Sequence, residues 1–159
     1  MERHATILLV EDEHVLRGLV AQFLQGAGHE VVQAADGQQG VDRFRESGPF
    51  DLALVDLNLP VFSGVEVCRR LREARPDQPI IICSAAVVPE FETALWDLGV
   101  DHFLTKPYHP DVLLKHIDDE LRRFAAPRVH RADSVGSPRN SPNLGLSAVG
   151  TLAKERPAR

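Results

Sequence analysis

The sequence predicts an α/β protein with a doubly wound, five-stranded parallel sheet and helices on both faces. Five short apolar runs alternate with five segments whose apolar residues recur at helical spacing. The run Ile80–Cys83 is apolar at every position, which is typical of a parallel strand covered on both sides. Because consecutive parallel strands need crossover helices, the alternation favours five βα units.

The predicted strands are short, and residues that favour turns or helix starts follow them. Their lengths are those of ordinary sheet strands in compact domains. They are predicted near Thr6–Val10, Glu30–Ala34, Asp51–Val55, Pro79–Ser84 and His102–Thr105.

The predicted helices each present an apolar face. The first is expected to stop at Gly26 and Gly28 and to bury Val15, Leu16, Leu19, Val20, Phe23 and Leu24. The others are predicted over Gly37–Ser47, over Val65–Ala74, from Pro89 with Phe91, Leu95 and Leu98 inward, and over Pro110–Phe124.

Charge and composition divide the chain into two parts. Residues 1–126 carry 21 Asp and Glu against 12 Lys and Arg, whereas residues 127–159 carry two against six. Eleven of those last 33 residues are Pro, Gly or Ser and none is aromatic, which predicts a disordered basic tail after a folded acidic domain. The chain has no signal peptide, no Cys-rich pattern and no apolar run long enough for a membrane, so we expect a cytoplasmic protein.

Polar residues end or directly follow four of the predicted strands at their carboxyl ends. These residues are the pair Glu11–Asp12, Asp56, Ser84 and Lys106. In open α/β sheets, ligands bind in the crevice outside the carboxyl ends of the strands, so the pattern predicts one site. Each residue also has a purely structural interpretation: Asp12 as a helix cap, Asp56 and Ser84 as turn or cap residues, and Lys106 as a solvated charge.

The predicted site has the composition of a metal-assisted phosphoryl acceptor. Clustered carboxylates favour a hard cation such as Mg²⁺, and Asp56 would then be a nucleophile that forms an aspartyl phosphate. The Ser84 hydroxyl would donate to the transferred group. A cis peptide at Lys106–Pro107 would aim the ammonium group at the developing charge.

The ordered set resembles the receiver domain of two-component response regulators over about residues 4–124. The segments that carry this resemblance are Leu9–Glu13, Asp56–Gly64, Ser84–Ala85 and Gly99–Pro107. Each is weak alone, but their order at βα spacing is specific. The resemblance implies a flavodoxin-like fold over residues 1–126, and we expect a stand-alone receiver because no output domain follows the last helix.

The resemblance implies that Asp56 accepts a phosphoryl group from a phosphohistidine of a sensor histidine kinase or a phosphotransfer protein. It implies a Mg²⁺ ion held by Asp12, Asp56 and the backbone carbonyl of Asn58. Glu11 would act on that ion mainly through water.

The resemblance also implies a conformational switch. Ser84 and Lys106 would bind phosphoryl oxygens, and Ser84 would move toward the phosphoryl group while Phe103 turns inward. Because Phe103 has no hydroxyl, its ring cannot form a hydrogen bond when it moves, and we expect burial of the ring to bias the two states.

The output of such a switch is expected on the fourth helix, fifth strand and fifth helix. Trp96 lies off the inward stripe of the fourth helix, either as half-buried packing or as an anchor for a partner. We expect a downstream protein target of unknown identity, with phosphorylation-dependent dimerisation open. The acidic domain argues against direct DNA binding.

The predicted activity is therefore signalling rather than enzymatic turnover, apart from self-catalysed phosphorylation and dephosphorylation of Asp56. One alternative is a scaffold that works without phosphorylation. Another is a haloacid-dehalogenase-like phosphatase, which needs a second Asp two residues after the nucleophile, where this chain has Asn58.

Overall fold

The computed structural model describes residues 3–125 and contains five βα units in that range. All strand pairs are parallel, and the order across the sheet is β2-β1-β3-β4-β5. The predicted fold class is thus confirmed, whereas the predicted disordered tail, residues 127–159, lies outside the described residues. The strands are β1 (Thr6–Val10), β2 (Glu30–Ala34), β3 (Leu52–Val55), β4 (Ile80–Ser84) and β5 (Phe103–Thr105). The helices are α1 (His14–Gly26), α2 (Gly37–Ser47), α3 (Gly64–Ala74), α4 (Pro89–Asp97) and α5 (Pro110–Ala125).

The core has two layers because successive residues of a strand point to opposite faces of the sheet. In β3, Ala53 and Val55 pack in the cluster that also contains the buried residues of α2, α3 and α4. Leu52 and Leu54 pack in the cluster with the buried residues of α1 and α5. All four side chains are at most 1% exposed, so β3 is buried on both sides.

The apolar face of α1 is narrower than predicted. Val20, Ala21 and Leu24 are buried, but Val15 is 63% and Leu19 is 59% exposed. At about 100° per residue, Leu19 lies about 100° and Val15 about 140° around the helix from Val20. A helix on one face of a sheet buries a stripe of limited width, so the predicted burial of Val15 and Leu19 is wrong.

Helix α4 is only lightly packed. Leu95 is its buried residue, whereas Phe91 is 38% and Trp96 57% exposed. The predicted inward position of Phe91 is therefore wrong, and Trp96 is more exposed than buried.

Chain direction in the sheet creates a crevice at one edge. The chain runs from β1 outward to β2, returns to β3 on the other side of β1, and then continues to β4 and β5. Helices therefore leave β1 and β3 on opposite faces, and the space between their carboxyl ends is the expected ligand position in such sheets. None of the helices within residues 3–125 combines the length and the apolar character needed to cross a lipid bilayer.

Candidate phosphorylation site

Backbone hydrogen bonds bring the predicted site residues to one edge of the sheet. The amide of Asp56 donates to Val10 O at 3.1 Å, which places it beside the end of β1. The amide of Lys106 donates to Ser84 O at 2.9 Å, which joins the ends of β4 and β5. The ends of four neighbouring strands thus lie side by side along one crevice.

Three carboxylates converge in this crevice. One oxygen each from Glu11, Asp12 and Asp56 lie within 4.8 Å of one another. Glu11 and Asp56 are buried, at 4% and 8% exposure, whereas Asp12 is exposed. An all-oxygen, anionic donor set open on one side fits Mg²⁺, which is held in proteins by few carboxylates and several waters.

Lys106 provides the positive charge of the site. Its Nζ donates to Asp56 Oδ2 at 2.7 Å and to Glu11 Oε2 at 2.5 Å. Burial alone would lower the pKa of Lys106, but these hydrogen bonds raise that pKa above its ordinary value. Burial raises the pKa of Glu11, against the opposing effect of Lys106. The ammonium group therefore remains charged between two carboxylates. The Lys106–Pro107 peptide bond is cis.

The N-terminus of α1 is not capped by Asp12, which was the structural interpretation of that residue. The residue that caps α1 is Glu13, whose carboxylate accepts the amides of Val15 at 3.1 Å and Leu16 at 2.6 Å. The carboxylate of Asp12 does not serve as the cap, so it is available to the crevice. Glu11 Oε1 accepts the amide of Glu13 at 3.2 Å.

The loop between β3 and α3 fixes the Asp56 carboxylate. Its Oδ1 accepts the amide of Asn58 at 3.0 Å, and the amide of Gly64 donates to Leu57 O at 2.9 Å. A Cβ atom on Gly64 would lie 2.2 Å from the Asp56 carbonyl oxygen, so the close turn requires glycine. Val61, in the same loop, has a φ of 68°, a conformation that β-branched residues rarely adopt.

Ser84 and Phe103 flank the site, and neither side chain is hydrogen-bonded to Asp56 in the structure. The Ser84 side chain is 1% exposed and its hydroxyl donates to Ala86 O at 3.1 Å. Phe103 is half-buried and packs against the cluster under α2, α3 and α4. The switch roles of both residues, like the metal-ligand role of the Asn58 carbonyl, remain predictions.

The sequence interpretation missed one residue at the site, Arg17. Its guanidinium Nη1 donates to Glu11 O at 2.8 Å and reaches Asp12 O at 3.5 Å. The available signal was an arginine in the first turn of the helix that follows an acidic pair.

Comparison with known proteins identifies the family of this fold and site. A sequence profile of the response regulator receiver domain matches residues 7–118. The chain is 37% identical over 122 residues to the transcriptional regulatory protein TcrA of Mycobacterium tuberculosis, covering 77% of this chain and 48% of that protein. It is 34% identical over 117 residues to the cell cycle transcriptional regulator CtrA of Caulobacter vibrioides, covering 74% and 50%. The chain thus spans about half the length of these relatives.

Solved structures agree with this relationship. A CheY-like response regulator receiver domain protein from Methanospirillum hungatei superposes with a TM-score of 0.73 at 29% identity, covering 77% of this chain and 97% of that one. The chemotaxis protein CheY4 of Vibrio cholerae gives a TM-score of 0.69 at 31% identity, with coverages of 74% and 98%. This chain belongs to the response regulator receiver domain family of two-component systems.

Proposed function

We propose that Asp56 is the phospho-acceptor of a signalling switch that takes its phosphoryl group from a phosphohistidine and works with Mg²⁺. The observation that carries this proposal is the Lys106 ammonium group, which contacts Asp56 Oδ2 at 2.7 Å beside three converging carboxylates. A nucleophilic carboxylate, a fixed cation and an oxygen-ligand cluster are the parts that phosphoryl transfer needs.

The reaction is an in-line displacement at phosphorus. An oxygen of the Asp56 carboxylate forms a bond to phosphorus while the bond from phosphorus to the donor imidazole nitrogen breaks, and that nitrogen keeps the electron pair. The switch is turned off by hydrolysis, in which a water oxygen attacks phosphorus and the bond from phosphorus to Asp56 breaks. This second step regenerates the carboxylate and releases inorganic phosphate.

Lys106 would stabilise the charge that develops on the phosphoryl oxygens. Its raised pKa keeps it protonated at neutral pH, and its attachment to the end of β5 positions the charge before the reaction begins. Such preorganised charge is a large contribution to catalysis in a partly dehydrated site. The Ser84 hydroxyl, at the end of the neighbouring strand, would exchange its bond to Ala86 O for one to a phosphoryl oxygen.

The metal would be held by Asp12, Asp56 and the backbone carbonyl of Asn58, with Glu11 acting through water. When bound, Mg²⁺ would supply positive charge that offsets repulsion between the carboxylates and the incoming phosphoryl group. The side chains of Glu11, Asp12 and Asp56 suit this role because one oxygen from each already lies within 4.8 Å of the others.

Labelling with a small phosphodonor tests the assignment. Wild-type protein, Asp56→Asn and the control Asp97→Asn, an exposed site on α4, are treated with acetyl phosphate with and without Mg²⁺. Intact-mass spectrometry should show one Mg²⁺-dependent, base-labile phosphoryl group on the wild type and the control, and none on Asp56→Asn. Equal labelling of all three proteins contradicts the proposal. An unlabelled but folded wild type supports the scaffold alternative, and steady hydrolysis of phosphate esters supports the phosphatase.

We further propose that the donor protein docks across α1. The side chains of Val15 and Leu19 are exposed on this helix. A cleft of about 270 Å³, lined by Leu16, Ala85, Lys106, Pro107 and Tyr108, connects α1 to the site. Apolar side chains beside a charged crevice suit a partner that buries surface while presenting its phosphohistidine.

The output is proposed to be protein contact rather than direct DNA binding by this domain. Residues 1–126 carry a net charge of −9, which opposes the phosphate contacts that supply most non-specific affinity for DNA. Trp96, at 57% exposure on α4, is the proposed anchor for the downstream partner or a second copy. Light scattering with and without beryllium fluoride, a phosphoryl mimic, distinguishes a dimer from a monomer that needs another partner.

A further inference from the structure

We propose that Arg17 is a positioning residue that orders the acidic loop, residues Glu11–Glu13, and thereby sets the affinity of the site for Mg²⁺. This inference rests on the proposed function, because it presupposes that Mg²⁺ binds the carboxylate cluster. Arg17 does not belong to that cluster and acts on it through the backbone.

The three carbonyl oxygens of the acidic loop all interact with Arg17. Its Nη1 donates to Glu11 O at 2.8 Å and lies 3.5 Å from Asp12 O. Its backbone amide donates to Glu13 O at 2.9 Å as a bond of the first helical turn. A single residue of α1 therefore interacts with every backbone carbonyl oxygen of the loop that connects β1 to α1.

This arrangement matters most for Asp12. Its side chain is exposed, whereas Glu11 and Asp56 are buried and hydrogen-bonded to Lys106. The direction of the Asp12 carboxylate therefore depends on the backbone conformation that Arg17 stabilises. Without the guanidinium group, Mg²⁺ would have to order this loop on binding, at the cost of conformational entropy.

Charge and order have opposite effects on Mg²⁺ affinity, which makes the idea testable by sign. Removing a positive charge close to a cation site would, by electrostatics alone, tighten Mg²⁺ binding. Loosening the groups that orient metal ligands weakens binding, typically by about 10-fold to 100-fold. A weaker Mg²⁺ affinity after loss of Arg17 therefore identifies a positioning role.

The experiment is a Mg²⁺ titration of the full chain followed by amide NMR signals of the acidic loop. It compares the wild type with Arg17→Gln, Arg17→Lys and the control Arg122→Gln. The control removes the same charge from an exposed position near the far end of α5. We expect Kd for Mg²⁺ to rise about 10-fold in Arg17→Gln, with the control unchanged. Arg17→Lys, which keeps the charge and loses the planar fork, should fall between them.

The rate of labelling by acetyl phosphate supplies a second readout. A positioning role predicts that high Mg²⁺ restores the maximal rate of Arg17→Gln while the Mg²⁺ concentration at half-maximal rate stays raised. Equal or tighter Mg²⁺ binding in Arg17→Gln overturns the inference. If Arg17→Gln fails to fold, the same comparison is made with Arg17→Lys, whose unchanged Kd would equally overturn it. A wild type that binds no Mg²⁺ refutes the proposed function instead.

Discussion

The ammonium group of Lys106 is hydrogen-bonded to Asp56 Oδ2 at 2.7 Å, so a fixed cation already occupies the face of the carboxylate that we propose is phosphorylated. The same group binds Glu11. Both carboxylates are buried, so Lys106 balances two negative charges that water reaches poorly.

Replacement of Lys106 should destabilise the fold unless a metal is present. Lys106→Met leaves two buried carboxylates unpaired, and we expect the free energy of unfolding at pH 7 to fall by about 2 kcal/mol, between the values for exposed and buried pairs. Mg²⁺ should restore part of this loss, since it supplies the missing charge. Urea unfolding with and without Mg²⁺ measures both effects.

Lys115→Met is the control, at an exposed position of α5. It should change the free energy of unfolding by less than about 0.5 kcal/mol, and a loss equal to that of Lys106→Met would contradict the argument.

The turn after Asp56 should not tolerate a methyl group at Gly64. A Cβ atom there would lie 2.2 Å from Asp56 O and 2.7 Å from Leu57 Cα, so Gly64→Ala must displace the loop. We expect a loss of about 2 kcal/mol in the free energy of unfolding, together with slower labelling by acetyl phosphate. Gly18→Ala is the matched control. Nothing lies within 4 Å of its added Cβ, and an alanine inside α1 should stabilise by roughly 0.5–1 kcal/mol. Similar losses at both positions would refute the steric explanation.

The fold and the location of the site were predictable because short apolar runs alternate with helical patterns and because parallel topology brings the carboxyl ends of the strands together. Asp56, Ser84 and Lys106 follow directly from that logic. Which acid caps α1 was not predictable, since it depends on whether the helix starts one residue earlier or later. The burial of Leu19 was predicted wrongly because periodicity alone does not give the width of the surface that the sheet covers.

Contacts between distant segments were also beyond the sequence. His102 Nε2 lies 2.6 Å from His116 Nδ1, and His102 Nδ1 lies 2.8 Å from Glu120 Oε2, which links the start of β5 to α5. No local pattern pairs residues 14 and 18 positions apart. The left-handed conformation of Val61 is likewise set by the loop around it, since valine has no preference for positive φ.

The histidine contact predicts a loss of stability in mild acid. Burial, the charge of His102 and that of Lys115 lower the pKa of His116, against an opposing effect of Asp119. The unfolded chain therefore takes up the proton at higher pH than the folded chain. As the pH falls from about 6.5 through the lowered folded value, the unfolded state binds more protons and stability decreases.

The test is the change in free energy of unfolding between pH 7.5 and pH 5.5. His116→Gln lacks this titration and should lose less stability over the range than the wild type. Titrating groups far from His116 cancel in the difference, which therefore reports on His116 and the groups that contact it. His14→Gln, which removes an exposed imidazole at the start of α1, is the control for the loss of an imidazole away from the contact with His102. A wild-type-like pH dependence in His116→Gln would refute the assignment.

Val61 should be a site where glycine stabilises. A non-glycine residue in the left-handed region costs roughly 1–2 kcal/mol, which glycine would relieve. The larger conformational entropy of glycine in the unfolded chain offsets part of this gain in stability. We expect Val61→Gly to raise the free energy of unfolding by about 1 kcal/mol in chemical denaturation. Val88→Gly, at an exposed residue with a φ of −80°, should lower it by roughly 0.5–1 kcal/mol. Destabilisation at both positions would show that the conformation of Val61 carries no strain.

Leu19 should affect transfer from a protein donor while leaving the chemistry at Asp56 intact. Its side chain is 59% exposed and shares a cleft of about 170 Å³ with Leu16 and Tyr108, so it extends the apolar surface that leads to Lys106. In Leu19→Glu, we expect phosphotransfer from the cognate histidine kinase to slow by about 10-fold or more, because the substitution removes an apolar contact and places an unpaired carboxylate in the proposed interface. Labelling by acetyl phosphate should be unchanged, since that donor needs no docking surface.

Gln22→Glu adds the same charge at an exposed position of α1 without removing an apolar group and should accept the phosphoryl group from the kinase at the normal rate. Equal slowing in both variants would assign the effect to charge, and slowing with acetyl phosphate as well would place the defect in the site itself.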